Sequence, residues 1–284
     1  MSTNFTTLIS TDELRAALGT GDPIVLVDTS FDLADVNAGE AGWHTGHLPG
    51  ALYLNLERDL SGAKSGSNGR HPLPRRADFA ATLGRIGITP ATQVVALDRQ
   101  GGMYAARLWW MCRWMGHERV AVLDGGAGAW TASGGALVTD EPQPVAAAPY
   151  PDRASLAATL DANALAAGLG RVRLLDARAA DRFRGEVEPL DKAAGHIPGA
   201  TNRFFKDNLG ADGRFKPAAQ LHAEFAALLG VQSPASTVHQ CGSGVTACHN
   251  LLAMEHAGLT GSTLYPGSWS EWSADPKRPV ARSA

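Results

Sequence analysis

The chain has 284 residues, enough for one large domain or two ordinary ones, with 44% apolar residues and a net charge of −3. A charge so near neutral, with no basic run, argues against nucleic acid as a partner, and the apolar runs are too short to span a bilayer. The start, MSTNFTTLIS, lacks the basic region and apolar core of a signal peptide; Cys112, Cys241 and Cys248 form no disulfide framework, so a reducing cytoplasm is expected.

Taken in chain order, Ser10 and Glu13 have the spacing of a capping box and predict a helix start. IVLVDTS (24–30) is an apolar strand run carrying Asp28, and GHLPGA (46–51) follows it. LGRIGITPATQVVALD (83–98) leads to GMYAARL (102–108). There Tyr104, Leu108, Met111, Cys112 and Met115 keep helical spacing up to Gly116, which predicts an amphipathic helix with Cys112 as an inert core thiol. LDGGAGAW (123–130) closes the series. TDEPQPVAAAPYPDRAS (139–155) has four prolines and no periodicity, and reads as an extended linker.

The same landmarks then return in the same order. Asp161 can cap a helix over ANALAAGL; VRLLDAR (172–178), GHIPGA (195–200), LLGVQSPASTVHQC (228–241), GVTACHN (244–250) and LYPGSWSEW (264–272) answer their counterparts. The expectation is two homologous domains, 1–140 and 155–284, joined by a linker over 141–154. Short Val/Ile/Leu runs alternating with helical segments predict an α/β class, each domain a parallel sheet flanked by helices.

The repeat supplies an internal comparison. Asp28 and Asp176, like His47 and His196, occur in both copies, which points to structural work on loop backbone groups. Cys241 occurs in one copy; its counterpart is Asp98 or Arg99, according to where the gap falls. The second half is therefore expected to carry the chemistry.

CGSGVT (241–246) lies between a strand end and a helix start. Glycines there let successive backbone N–H groups converge, a nest that favours an anion, and the helix N-terminus adds partial positive charge. A sulfur in that position is favoured as its anion, and so is a persulfide built on it. The position that holds the arginine of a C-x5-R phosphatase loop is Ala247, which argues against that chemistry. Cys241 and Cys248 lack the paired spacing of a zinc site, so no metal is expected, and nothing signals a prosthetic group. A redox pair of these two thiols is a weaker reading, because Cys248 falls inside the following helix.

The tandem halves, the repeated GH[LI]PGA and the loop CGSGVTAC resemble, over nearly the whole chain, the two-domain sulfurtransferases of the rhodanese superfamily. The resemblance implies two tandem rhodanese-like domains, the first non-catalytic, and needs no cofactor. Cys241 would take sulfur from a small-molecule donor, hold it as a persulfide, and pass it to a thiol such as thioredoxin or glutathione, or to cyanide. CGSGVTA is the loop associated with 3-mercaptopyruvate sulfurtransferases. Thiosulfate sulfurtransferases often have two basic residues after the cysteine, where this chain has Gly242 and Ser243. The alternatives are a thiosulfate:cyanide sulfurtransferase, or a persulfide carrier loaded by another protein.

By the same resemblance, the backbone of Gly242, Gly244, Val245 and Thr246 binds the sulfur species. Arg182, in DARAADRFRGEVEPLDK (176–192), grips the donor carboxylate. The family's second arginine falls on Leu190, with Lys192 or Arg184 as substitutes. A serine-protease-like relay would combine Ser243, His71 of GRHPLP in the first half, and Glu57, where the family usually has Asp; Asp59 is the nearby alternative. Trp269 and Trp272 are candidates for the rim of the site.

Overall fold

The computed structural model describes residues 4–282, so the first three residues of MSTNFTTLIS and the last two of the second half lie outside the described residues. The chain divides into two units. The first comprises the described residues up to Ser61, together with Pro74–Leu156 and Ala211–Arg214. The second comprises Gly62–Leu73, Ala157–Gly210 and the described residues from Phe215 onward. Segment 62–73, with His71, thus belongs to the second unit although it comes early in the chain.

The first unit contains β1 (Leu8–Ile9), β2 (Ile24–Asp28), β3 (Leu52–Tyr53), β4 (Gln93–Leu97) and β5 (Val120–Leu123), in the order β1-β5-β4-β2-β3. Its helices are α1 (Thr11–Leu18), α2 (Ala38–Thr45), α3 (Arg76–Arg85), α4 (Ala105–Trp114) and α5 (Gly126–Ala132). The second unit contains β6 (Ala158–Thr159), β7 (Arg173–Asp176), β8 (Thr201–Asn202), β9 (Thr237–Gln240) and β10 (Thr263–Leu264), in the order β6-β10-β9-β7-β8. Its helices are α6 (Ala162–Gly168), α7 (Ala180–Arg184), α8 (Ala218–Leu229), α9 (Ala247–His256) and α10 (Ser268–Trp272). All strand pairs are parallel, and the two orders match strand for strand. This is the expected α/β class, twice over.

The local signals are where the sequence placed them. Ser10 Oγ accepts from the Glu13 N–H while Glu13 accepts from the Ser10 N–H, the capping box that starts α1. Asp161 accepts from the N–H groups of Asn163 and Ala164 and starts α6. β4 is buried along its whole length, as expected for a parallel strand covered on both faces.

α4 differs from expectation. It is buried on nearly every side from Ala105 to Cys112 rather than amphipathic. Besides the sheet, it meets Leu60, whose carbonyl accepts from Arg107, and Thr6, whose carbonyl accepts from Trp109 Nε1. Cys112 is fully buried, and burial pushes its thiol far above the ordinary range, so it is the inert thiol expected.

The duplicated His and Asp do the same work in each unit. His47 exchanges backbone hydrogen bonds with Val138, bonds the Trp43 carbonyl through Nδ1 at 2.9 Å and stacks on Trp43. His196 does so with Ala281, the Phe183 carbonyl at 2.8 Å and the Phe183 ring. Asp28 and Asp176 each accept from the backbone N–H two residues on. The proline-rich stretch runs along α3: the Ala147 and Tyr150 N–H groups donate to the carbonyls of Gly84 and Ala80.

Candidate active site

Strand register fixes the counterpart of Cys241. Asp28 lies opposite Leu97 in the first sheet, and Asp176 opposite Gln240 in the second, so the next residues, Asp98 and Cys241, correspond. Asp98 fills its own turn. Its Oδ1 accepts from the N–H groups of Gln100 and Gly102, both at 2.8 Å, and its Oδ2 from those of Tyr104 at 2.8 Å and Ala105 at 3.0 Å. Four backbone donors converge on one carboxylate, which demonstrates that this turn at the end of the fourth strand is an anion cradle.

In the second unit a sulfur takes that place. Cys241 is 2% exposed, and the N–H of Gly244 points at its Sγ from 3.2 Å, as Gly102 does at Asp98. Thr246 and Ala247 correspond to Tyr104 and Ala105 at the start of the following helix. Their N–H groups bond no acceptor among the described residues, so donors remain for a larger anion. Gly244 has φ +75°, and a Cβ there would lie 2.3 Å from the Pro266 carbonyl oxygen; only glycine fits. Val245 is buried at 4% exposure, within the turn.

A second loop holds this one down. The N–H groups of Trp269 and Ser270 donate to the carbonyls of Cys241 and Gly242. Ser268 has φ 53°, the positive region that L residues rarely adopt, and its hydroxyl accepts from the Cys241 N–H at 3.1 Å while donating to the Tyr265 carbonyl. The first unit has Gly126 there, with φ 55°. Ser268 was not anticipated; the signal was a serine aligned with a turn glycine. Trp269 and Trp272, expected at the rim, are fully buried instead. They pack with Leu174, Ile197, Val238 and Tyr265, and their Nε1 groups donate to the Ala193 and Pro279 carbonyls.

Cationic side chains stand beside the turn. Arg182, on α7, donates to Glu188 at 2.7 Å and Asp191 at 3.3 Å, and its Nε is buried without a partner. Glu188 also reaches Arg178, which forks onto Asp176 and lies over the Trp269 ring at 4.7 Å. A Cβ on Gly242 would lie 3.6 Å from Arg182 Nη1 and 2.9 Å from Arg70 Nη2. Arg70 was also not anticipated. Arg184, suggested as a substitute cation, instead forks onto the exposed Glu186. Leu190 is 44% exposed.

His71 and Ser243 meet: Nδ1 lies 2.8 Å from Oγ, with the side chains nearly fully buried. Glu57 belongs to the first unit, where its N–H donates to Asn55 Oδ1. Asp59, the alternative acid, is occupied: it accepts from the Asn55 N–H, Arg58 and Arg85. Among the described residues no group of three or more His, Cys, Asp or Glu could hold a metal ion, and no helix is long and apolar enough to cross a membrane.

The arrangement is a buried thiol in an anion nest flanked by two guanidiniums and a Ser–His pair, suited to nucleophilic attack on an anionic substrate. Comparison with known proteins gives the family. The chain is 48% identical over 280 residues to a probable 3-mercaptopyruvate sulfurtransferase of Pseudomonas aeruginosa, covering 96% of this chain and 97% of that one. It is 40% identical over 277 residues to the putative thiosulfate sulfurtransferase SseB of Mycobacterium tuberculosis, covering 97% and 96%. Among solved structures, the 3-mercaptopyruvate sulfurtransferase from Leishmania major superposes with a TM-score of 0.84 at 28% identity, covering 94% of this chain and 74% of that one. The rhodanese-like domain model matches residues 10–133 and again 159–275, and the chain therefore belongs to the rhodanese family, with two copies of its domain.

Proposed function

We propose that this protein is a sulfurtransferase that moves a sulfane sulfur from 3-mercaptopyruvate through a persulfide on Cys241 to a thiol acceptor or cyanide. The observation that carries the reading is the Gly244 N–H bonded to Cys241 Sγ, in a turn whose first-unit copy is closed by the Asp98 carboxylate. The second unit keeps the donors and replaces the carboxylate with a nucleophile.

The chemistry follows from that placement. The Cys241 thiolate attacks the donor sulfur; an S–S bond forms, the donor C–S bond breaks, and its electron pair leaves on pyruvate as the enolate, which takes up a proton to give pyruvate. Ser243 polarises the ketone oxygen and moves that proton, a role supported by its hydrogen bond to His71. Arg182 binds the carboxylate. The acceptor, thioredoxin, glutathione or cyanide, then takes the outer sulfur and restores the thiolate. Such a thiol-dependent cycle suits the cytoplasm.

The mercaptopyruvate preference rests on Gly242 and Ser243, neutral where a thiosulfate loop is often basic. A second reading, thiosulfate as donor, is favoured by one observation: two guanidiniums, not one, flank Gly242. There the thiolate attacks the outer sulfur of thiosulfate and sulfite leaves with the electron pair. The test is thiocyanate formation from cyanide with each donor, together with intact mass of the protein after donor alone. Turnover, with a mass gain of one sulfur that Cys241→Ala abolishes, is the expected result. No turnover and no gain with either donor would leave the protein-loaded carrier.

A further inference from the structure

The family's second substrate arginine falls on Leu190, and a hydrophobic side chain offers an anion nothing. Yet the Cys241 turn has two cations. Arg70 reaches it from segment 62–73, and its Nη2 stands 2.9 Å from where a Gly242 Cβ would be, on the residue that Arg182 also approaches. We propose that Arg70 is the second anion-binding side chain of this site, making with Arg182 a two-guanidinium clamp for the carboxylate or sulfonate end of the sulfur donor. This rests on the sulfurtransferase reading and adds a residue to it.

Several features hold Arg70 there. The base of its segment is closed by the Gly62 N–H donating to the Pro72 carbonyl at 2.8 Å. The Arg70 N–H donates to Ser270 Oγ at 3.0 Å, and the Ser270 N–H donates to the Gly242 carbonyl at 2.9 Å, so one serine ties Arg70 to the residue after the nucleophile. Gly69 has φ +87°, and a Cβ on it would lie 2.9 Å from the Gly267 carbonyl oxygen, which lets the two backbones approach.

Asp191 shows what the clamp can bind. One of its oxygens bonds Arg70 and the other lies 3.3 Å from Arg182, so a carboxylate already bridges the two guanidiniums. Its side chain is 5% exposed, and burial raises its carboxyl above the ordinary range against the pull of both arginines. A cavity of about 220 Å³ opens beside it, lined by Lys64, Arg70, Leu190, Asp191, Lys192 and Ser270. A planar substrate anion suits guanidinium forks in a way it does not suit a lone ammonium.

The test reads charge at the thiol directly. Alkylation of Cys241 by iodoacetate and by neutral iodoacetamide, followed by peptide mass spectrometry, needs no turnover and so does not depend on the donor being right. Arg70→Met should lower the iodoacetate-to-iodoacetamide rate ratio about tenfold, the scale of one lost charge-assisted contact. Arg70→Lys should lower it less. In turnover, Arg70→Met should raise the KM for the active donor about tenfold with kcat changed far less. Arg70→Gln, which preserves the backbone tie to Ser270, stands in should the methionine variant fail to fold. An unchanged ratio in a folded variant overturns the proposal even where the wild-type protein turns over a donor. A wild-type protein that turns over neither donor, with a ratio that still falls in Arg70→Met, would sink the sulfurtransferase reading and leave Arg70 as an anion-binding residue.

Discussion

Asp98 and Cys241 occupy the same point of two copies of one turn, and each receives the N–H of the corresponding glycine, Gly102 and Gly244. A carboxylate that satisfies four backbone donors makes the first turn a closed structural element. A thiol that satisfies one leaves the second able to receive a ligand.

The two positions should respond oppositely to substitution. Asp98→Ala removes a buried anion and strands its backbone donors, and should destabilise the first unit by about 3 kcal/mol or more. Cys241→Ala should change stability by about 1 kcal/mol and abolish turnover. Thermal unfolding and thiocyanate formation, measured on both variants, separate the roles; a silent Asp98→Ala would refute the filled-cradle account.

The His71–Ser243 pair makes a prediction that depends on the donor. Mercaptopyruvate releases an enolate that must gain a proton, whereas thiosulfate releases sulfite, which needs none. His71→Ala should therefore lower kcat with mercaptopyruvate by about 10²-fold and spare thiosulfate turnover. Equal losses with both donors would mean that the pair only shapes the loop.

Ser268 spends strain to tether the nucleophile. Ser268→Ala keeps the unfavourable φ of 53° and loses the bond to the Cys241 N–H, so it should cost about 1–2 kcal/mol and lower kcat. Ser268→Gly relieves the strain and should cost less stability while lowering kcat similarly. Paired melting curves and kinetics distinguish the two; a fully active Ser268→Gly would dismiss the tether.

Acid should weaken both units through buried histidines. Burial lowers the pKa of His239 in β9 to about 3 and that of His117, before β5, to about 4. Below the unfolded value near 6.5 the unfolded chain binds these protons and the folded one does not. Stability is thus complete above about pH 6.5 and lost as pH falls toward those folded values, by about 1.4 kcal/mol per unit for each group. Unfolding followed from pH 7 to 4.5 should show this slope, and His239→Leu should flatten it for the second unit.

The repeat made much of this fold readable. Two copies of GH[LI]PGA and of the strand–turn–helix series led to paired sheets, and the capping signals at Ser10 and Asp161 are local enough to read directly. Cys241 stood out because its counterpart is not a cysteine. Arg70 and Ser268 did not stand out, because each acts through contacts made between segments distant in sequence: Arg70 meets Gly242, and Ser268 meets Cys241. Trp269 and Trp272 misled for a related reason. Their neighbours in sequence border the turn, while their own rings turn into the core.

Segment 62–73 gives the duplication a boundary that chain order does not follow. The stretch that carries Arg70 and His71 is encoded with the first copy and packed with the second. Dividing the protein at its proline-rich stretch would part the nucleophile from two side chains at its elbow. Duplicated modules are usually interchangeable parts; here one has lent a strip of itself to the other, and the pair has become indivisible.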